Sequence, residues 1–150
     1  MGLDTRANTY EEYFIHSADF LTLTTTPTEF IENTILISRE NDFKIYGTTF
    51  MATDSRIDIR FRDANSGRYF QDGNSDIRTV AGRPLPISIG GTTMSPNNGE
   101  FLPYFWPEPY RLPAASRLAI EAANTSGIPN IMRISFHGAK KHEGTAPYKG

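Results

Sequence analysis

From Arg56 to Arg62 the chain alternates without a break, with Ile57, Ile59 and Phe61 set against Arg56, Asp58, Arg60 and Arg62. A period of two is the signature of a half-buried β-strand, with one face in a core and one charged face in water. Asp63-Ala-Asn-Ser-Gly67 then supplies turn chemistry, and Arg68-Tyr69-Phe70 reads as a return toward the same sheet. The design recurs near the other end. Leu118, Ile120 and Ala122 alternate, Asn124-Thr-Ser-Gly127 turns, and Met132, Ile134 and Phe136 alternate back. Two such hairpins predict an all-β domain, an antiparallel sandwich whose core holds Ile57, Ile59, Phe61, Leu118, Ile120, Met132, Ile134 and Phe136. Local periodicity does not separate a jelly roll from an immunoglobulin-like sandwich, because the two differ in strand connectivity.

The rest of the composition agrees with short strands and loops. The chain has 150 residues with 12 Gly and 10 Pro, one domain's worth and lean in long-helix formers. Its 15 basic and 17 acidic residues give a net charge of −2, so no global charge draws it to nucleic acid or to an anionic membrane. No apolar run approaches the ~20 residues that span a bilayer, and the N-terminus does not read as a secretory signal. Cysteine is absent, which excludes disulfides, thiolate nucleophiles and Cys-ligated zinc.

Residues 1–13 are polar and without period, and read as an extended N-terminal arm that ends in a short helical turn around Tyr10–Tyr13. The sandwich is expected over 14–140 and a loose polar tail over 141–150, after Gly138 has ended the last strand. Strand candidates precede the first hairpin at Phe14–Leu23, Thr28–Ile37 and Phe43–Phe50, where threonine and branched side chains favour a pleated surface. Between Ile77 and Phe105 the pattern is broken by Gly90-Gly91 and Ser95-Pro-Asn-Asn-Gly99. Phe101–Tyr110 then packs five aromatic residues and three prolines into ten positions. Proline has no donor for a central ladder, so this segment belongs on an edge or over the sheet.

Little in the chain suggests catalysis. His16, His137 and His142 are the three histidines, and none is spaced as a metal-binding pair. His137 falls on the outward phase of its strand and reads as a solvated surface residue. His16, among Phe14, Ile15 and Phe20, reads as a core residue with its polar atoms satisfied, and His142 sits in the tail. There is no Gly-x-Ser-x-Gly elbow and no phosphate-binding glycine loop, so no enzyme and no cofactor or metal is expected. Arg56, Arg60 and Arg62 share one strand face, with Asp58 and Asp63 as expected partners. The aromatics of that stretch fall on the other phase, without the interleaving that a single-stranded nucleic-acid surface uses. Tyr104, Phe105, Trp106 and Tyr110 are the candidate contact residues, because large rings of low conformational entropy anchor interfaces. The bland alternative makes the same segment a lid over an open end of the sandwich.

Ile57–Phe70 resembles the "I-x-I-R-D-x-S-T-G-R" strand and turn of small virion proteins of tailed bacteriophages. Phe105–Ser116 resembles their "L-P-E-P-Y-x-x-P-A-N-S" segment, and Ile134–Lys140 resembles "L-x-L-H-G-Y-K". The likeness spans roughly residues 43–140, and the Gly90–Gly99 loop and the tail depart from it. It implies a jelly-roll decoration (cement) protein on the outer surface of the virion, whose partners are the major capsid protein and other copies of itself. A homo-oligomer is expected, a trimer ahead of a dimer, with no direct contact to nucleic acid or membrane. Contacts are expected from the arm and residues 101–110, with Arg56, Arg60 and Arg62 adding charge complementarity. A carbohydrate- or receptor-binding module, with Trp106 and Tyr104 as a stacking platform, is the alternative reading.

Overall fold

All eight residues expected in the core are buried, each with at most 3% of its surface exposed. The computed structural model describes residues 9–81 and 104–144, together with the backbone of 88–89 and 92–93. Among the described residues, ten strands and one short helix follow in the order β1 (Thr9–Leu23), β2 (Ile31–Leu36), β3 (Phe43–Ala52), β4 (Ile57–Asp63), β5 (Ser75–Asp76), α1 (Ile77–Val80), β6 (Ser88–Ile89), β7 (Thr92–Thr93), β8 (Tyr104–Leu112), β9 (Arg117–Asn124) and β10 (Asn130–Glu143). They form an antiparallel β-sandwich of two four-stranded sheets. The first sheet has the order β1-β10-β3-β8, the second β2-β9-β4-β5, and β6 pairs only with β7. Rings from both sheets meet in the core, with Phe61 of β4 edge-on to Phe136 of β10 at 5.3 Å between centroids.

Several local expectations change once partners are visible. The Leu118–Phe136 stretch is not a hairpin, since β9 pairs with β2 and β4 while β10 pairs with β1 and β3. Its turn is a corner between sheets, built on two buried asparagines. Asn124 Oδ1 accepts from the Ser126 backbone N–H at 3.1 Å and from Asn130 Nδ2 at 3.3 Å. Asn130 reaches on to the β3–β4 connection, donating to the Asp54 carbonyl at 2.8 Å and accepting its N–H at 3.1 Å. The return of the first hairpin is equally brief. Gly67, at φ 75°, closes the turn, and the return is held by the single bridge Arg62–Tyr69, made by the Asp63 N–H to Arg68 carbonyl and Phe70 N–H to Phe61 carbonyl bonds.

The boundaries of arm and tail also move. Thr9–Tyr13 is the first part of β1, paired residue for residue with Ala139–Glu143 of β10. Residues 1–8 of the arm, 145–150 of the tail and the Gly90–Gly99 loop lie outside the described residues, apart from the backbone of 92–93. Gly138 does not end β10; it lets it continue. The register against β3 shifts between His137 and Gly138, and a Cβ on Gly138 would overlap the Lys44 carbonyl oxygen. Only glycine allows that approach at a bulge.

Gly138→Ala should therefore destabilise the fold by about 3 kcal/mol or more, the upper range for inserting an atom into packed surroundings. A lower urea midpoint at unchanged slope would show it. Ile59→Asp, which places an unpaired carboxylate between the sheets, should leave insoluble or unfolded protein. A soluble variant with the parent's melting temperature would refute the phase assignment.

Candidate functional site

Strand β8 shows how one edge builds a site. Its ladder to β3 breaks between the pairs Gly47–Phe105 and Ile45–Tyr110, and Pro107 and Pro109 fall inside the break, where no ladder donor is required. Trp106, Tyr110 and Leu112 take the inward phase. The Trp106 ring lies against Phe61 at 6.1 Å, Phe70 at 6.1 Å and Phe136 at 6.5 Å, and its Nε1 donates to Thr48 Oγ1 at 3.3 Å. Tyr110 packs on Phe70 at 4.2 Å. Both rings are half-buried, packed against the core on one side while also lining the open space beside β8. An indole that large at an edge needs neighbours on several sides, and β4, β10 and residue 70 supply them. Phe105, on the outward phase, is 70% exposed, and Tyr104 is 39% exposed.

Between β8 and the segment after the first turn lies a cleft of about 420 Å³. Phe61, Phe70 and Trp106 are among its lining, Tyr69, Tyr104 and Tyr110 add their rings, and Arg68 and Glu108 bring opposite charges. Gln71 holds that segment against β4, accepting from the Phe61 N–H at 3.2 Å and donating to the Ile59 carbonyl at 3.2 Å. Sequence patterning does not reveal this cleft, because its two sides are more than thirty residues apart in the chain.

The arginine face has different partners from those expected. Arg60 pairs with Glu121 and Arg62 with Glu32, the latter at 2.8 Å, while Arg56 folds back on Asp54 at 2.8 Å. Asp58 and Asp63 lie along the same strand, but cross-strand neighbours sit closer than residues two apart on one strand. Asp63 instead accepts the Asn65 N–H at 2.9 Å inside the turn. Aromatics do reach this face: the Arg60 guanidinium stands 4.1 Å from the Phe30 ring centre and 5.5 Å from that of Tyr69. The second sheet thus shows water a network of neutralised charges.

The outer face of the first sheet is more apolar. One row across it runs Ile15, His137, Gly47, Phe105, with Tyr13 beside it. At the far end Leu21, Met51 and Ile131 line a groove of about 400 Å³. Tyr13, Leu21, Met51 and Ile131 are each more than half exposed. His137 lies in the middle, half-buried, with Nδ1 bonded to the Tyr13 hydroxyl and Nε2 to Thr49 Oγ1, both at 2.8 Å. It is therefore no solvated histidine, although its outward phase was legible.

All three histidines gather at the β1–β10 seam. His16 stands edge-on to Phe43 at 4.6 Å, and its buried Nε2 has no hydrogen-bond partner, contrary to the satisfied core residue expected. His142 belongs to β10 and stacks on Tyr10 at 4.9 Å. Burial, reinforced by Lys140, pushes the His16 pKa down to about 4, and burial lowers that of His137. Among the described residues, no group of three or more His, Asp or Glu side chains is placed to hold a metal ion. No family model, curated protein or solved structure matches the chain.

Trp106→Ala should cost about 3 kcal/mol, as for other large-to-small ring deletions, and appear as a lower melting temperature of the free protein. Because the folded pKa of His16 lies below its ordinary value of 6.5, the unfolded chain binds the extra proton. Stability should be complete above pH 6.5 and fall as pH drops toward about 4, with His16→Leu removing part of that slope in melts from pH 7 to 4. Asp19, Asp42, Asp54 and Asp76, held below the usual carboxylate range by hydrogen bonds from arginine, should add their loss only further into acid.

Proposed function

We propose that this protein is a capsid decoration (cement) protein of a tailed-phage head, a non-catalytic jelly roll that binds the outside of the shell and bridges major capsid subunits. The reading rests on the resemblance of three segments, and on one observation above the others: the two outer faces of the sandwich differ in chemistry. The second sheet faces outward with ion pairs that satisfy one another within the chain. The first also carries the Asp19–Arg133 pair, but it exposes Tyr13, Ile15 and Phe105 at one end and Leu21, Met51 and Ile131 at the other, against Leu36 and Tyr69 on the second. Exposed apolar groups gathered on one sheet face mark a protein-contact surface more often than a solvated one.

The strand order supports the jelly-roll wrap. First and last strands are neighbours in one sheet, and the chain passes back and forth between the two sheets except from β4 to β5, as two folded-over Greek keys would place them. A rigid sandwich of this kind transmits load without performing chemistry. Several weak contacts per oligomer add up through avidity, which fits a homo-oligomer, a trimer ahead of a dimer, spanning neighbouring capsid subunits.

In this reading the contact surface shifts its weight from the edge segment to the outer face of the first sheet. Phe105 is kept. Trp106 and Tyr110 are core-packed, and the paired Arg56, Arg60 and Arg62 contribute at the rim. Leu21→Asp with Ile131→Asp should strip the protein from purified heads at low salt while leaving its melting temperature unchanged. Each truncated anchor in such a patch typically costs about 2 kcal/mol or more. Arg60→Ala should change attachment little. Co-sedimentation with heads measures both, and a wild-type protein that never sediments with heads would sink the capsid reading.

A further inference from the structure

We propose that the cleft between β8 and the 68–71 segment is a binding site for a neutral saccharide of one or two pyranose rings. The inference is independent of the capsid reading. A pyranose offers an apolar face of C–H groups and a perimeter of hydroxyls that both donate and accept. The cleft offers the complement. Its aromatic lining is set before any ligand arrives, because Trp106 is locked by Thr48 and packed among Phe61, Phe70 and Phe136. Its volume of about 420 Å³ lies within the usual range of small-ligand sites.

The cleft carries charges of both signs. Arg68 and Glu108 have no ion-pair partner among the described residues, which is true also of Arg39 and Arg117, but of these four only Arg68 and Glu108 line the cleft. One guanidinium and one carboxylate cancel, so the site suits a ligand without net charge. Together they provide planar donors and planar acceptors, which hydroxyls satisfy at once. A plain hydrophobe would use the rings and leave both charges idle. A proline-rich peptide would also stack on the rings, but proline has no N–H to give Glu108.

The single tryptophan of the chain lines this cleft, so its fluorescence reports on it without labelling. The intact protein should be screened on an array of neutral glycans, and each hit titrated as the free disaccharide. Saturable quenching or a blue shift is expected. Arg68→Ala and Glu108→Ala should each weaken binding by at least about tenfold, as loss of a charged hydrogen-bond partner does, with the melting temperature unchanged. A decaproline peptide serves as the comparison probe. The site is not a saccharide site if no neutral glycan binds better than to the Arg68→Ala/Glu108→Ala double variant. It is equally not one if decaproline alone saturates the fluorescence change, or if sugar binding survives both substitutions. None of these results bears on attachment to heads.

Discussion

Strand β10 sets the register of the first sheet. It is hydrogen-bonded along both edges, to β1 and to β3, and sends Met132, Ile134 and Phe136 fully into the core. A slip of one residue would turn that row outward, so the register is held by hydrophobic phase as much as by backbone bonds. The bulge at Gly138 is what lets so long a strand follow β3 past the middle of the sheet. There the backbone of β10 approaches Lys44 more closely than any side chain allows. Beyond it, Ala139–Glu143 gives Thr9–Tyr13 a ladder to join, and residues that would otherwise have been an arm become sheet.

The two faces of the sandwich solve the problem of exposure in opposite ways. On the second sheet, Arg60, Arg62, Glu32 and Glu121 answer one another across strands, with Phe30 and Tyr69 beneath the guanidiniums. Such exposed pairs contribute little stability but keep a sheet face soluble and unattractive to other strands. On the first sheet, the polar middle of Ser17, Ser135, Thr49 and His137 is flanked by apolar groups at both ends. That asymmetry gives the molecule a direction.

The histidines and the aromatic cleft both depend on burial that no single element supplies. His16 is driven neutral by Phe14 and Phe43 around it and by Lys140 from the neighbouring strand. Trp106 is half core and half cleft, since one side of its environment is the sandwich interior and the other opens between β8 and Arg68-Tyr69-Phe70. A large ring at an unsealed edge can serve packing and recognition together.

Alternation along the chain was enough to give the fold class, the strands around 57–63, 118–122 and 132–136, and the phase of every core residue named from it. Those follow from alternation, a local property carried by adjacent side chains. Which strands pair was settled by long-range packing. Leu118–Phe136 looks like a hairpin because its phases and turn are right, yet the two strands close different sheets, and nothing within nineteen residues encodes that choice. The same limit applied to the site. The segment was read as contact surface or as a lid, and alternation alone did not tell Phe105, which faces out, from Trp106 and Tyr110, because the residues that pack on those two come from β4, β10 and Phe70. Ion pairs obeyed the same rule: Arg60 and Arg62 found Glu121 and Glu32 across strands, since pairing distance is set by the sheet and not by the chain.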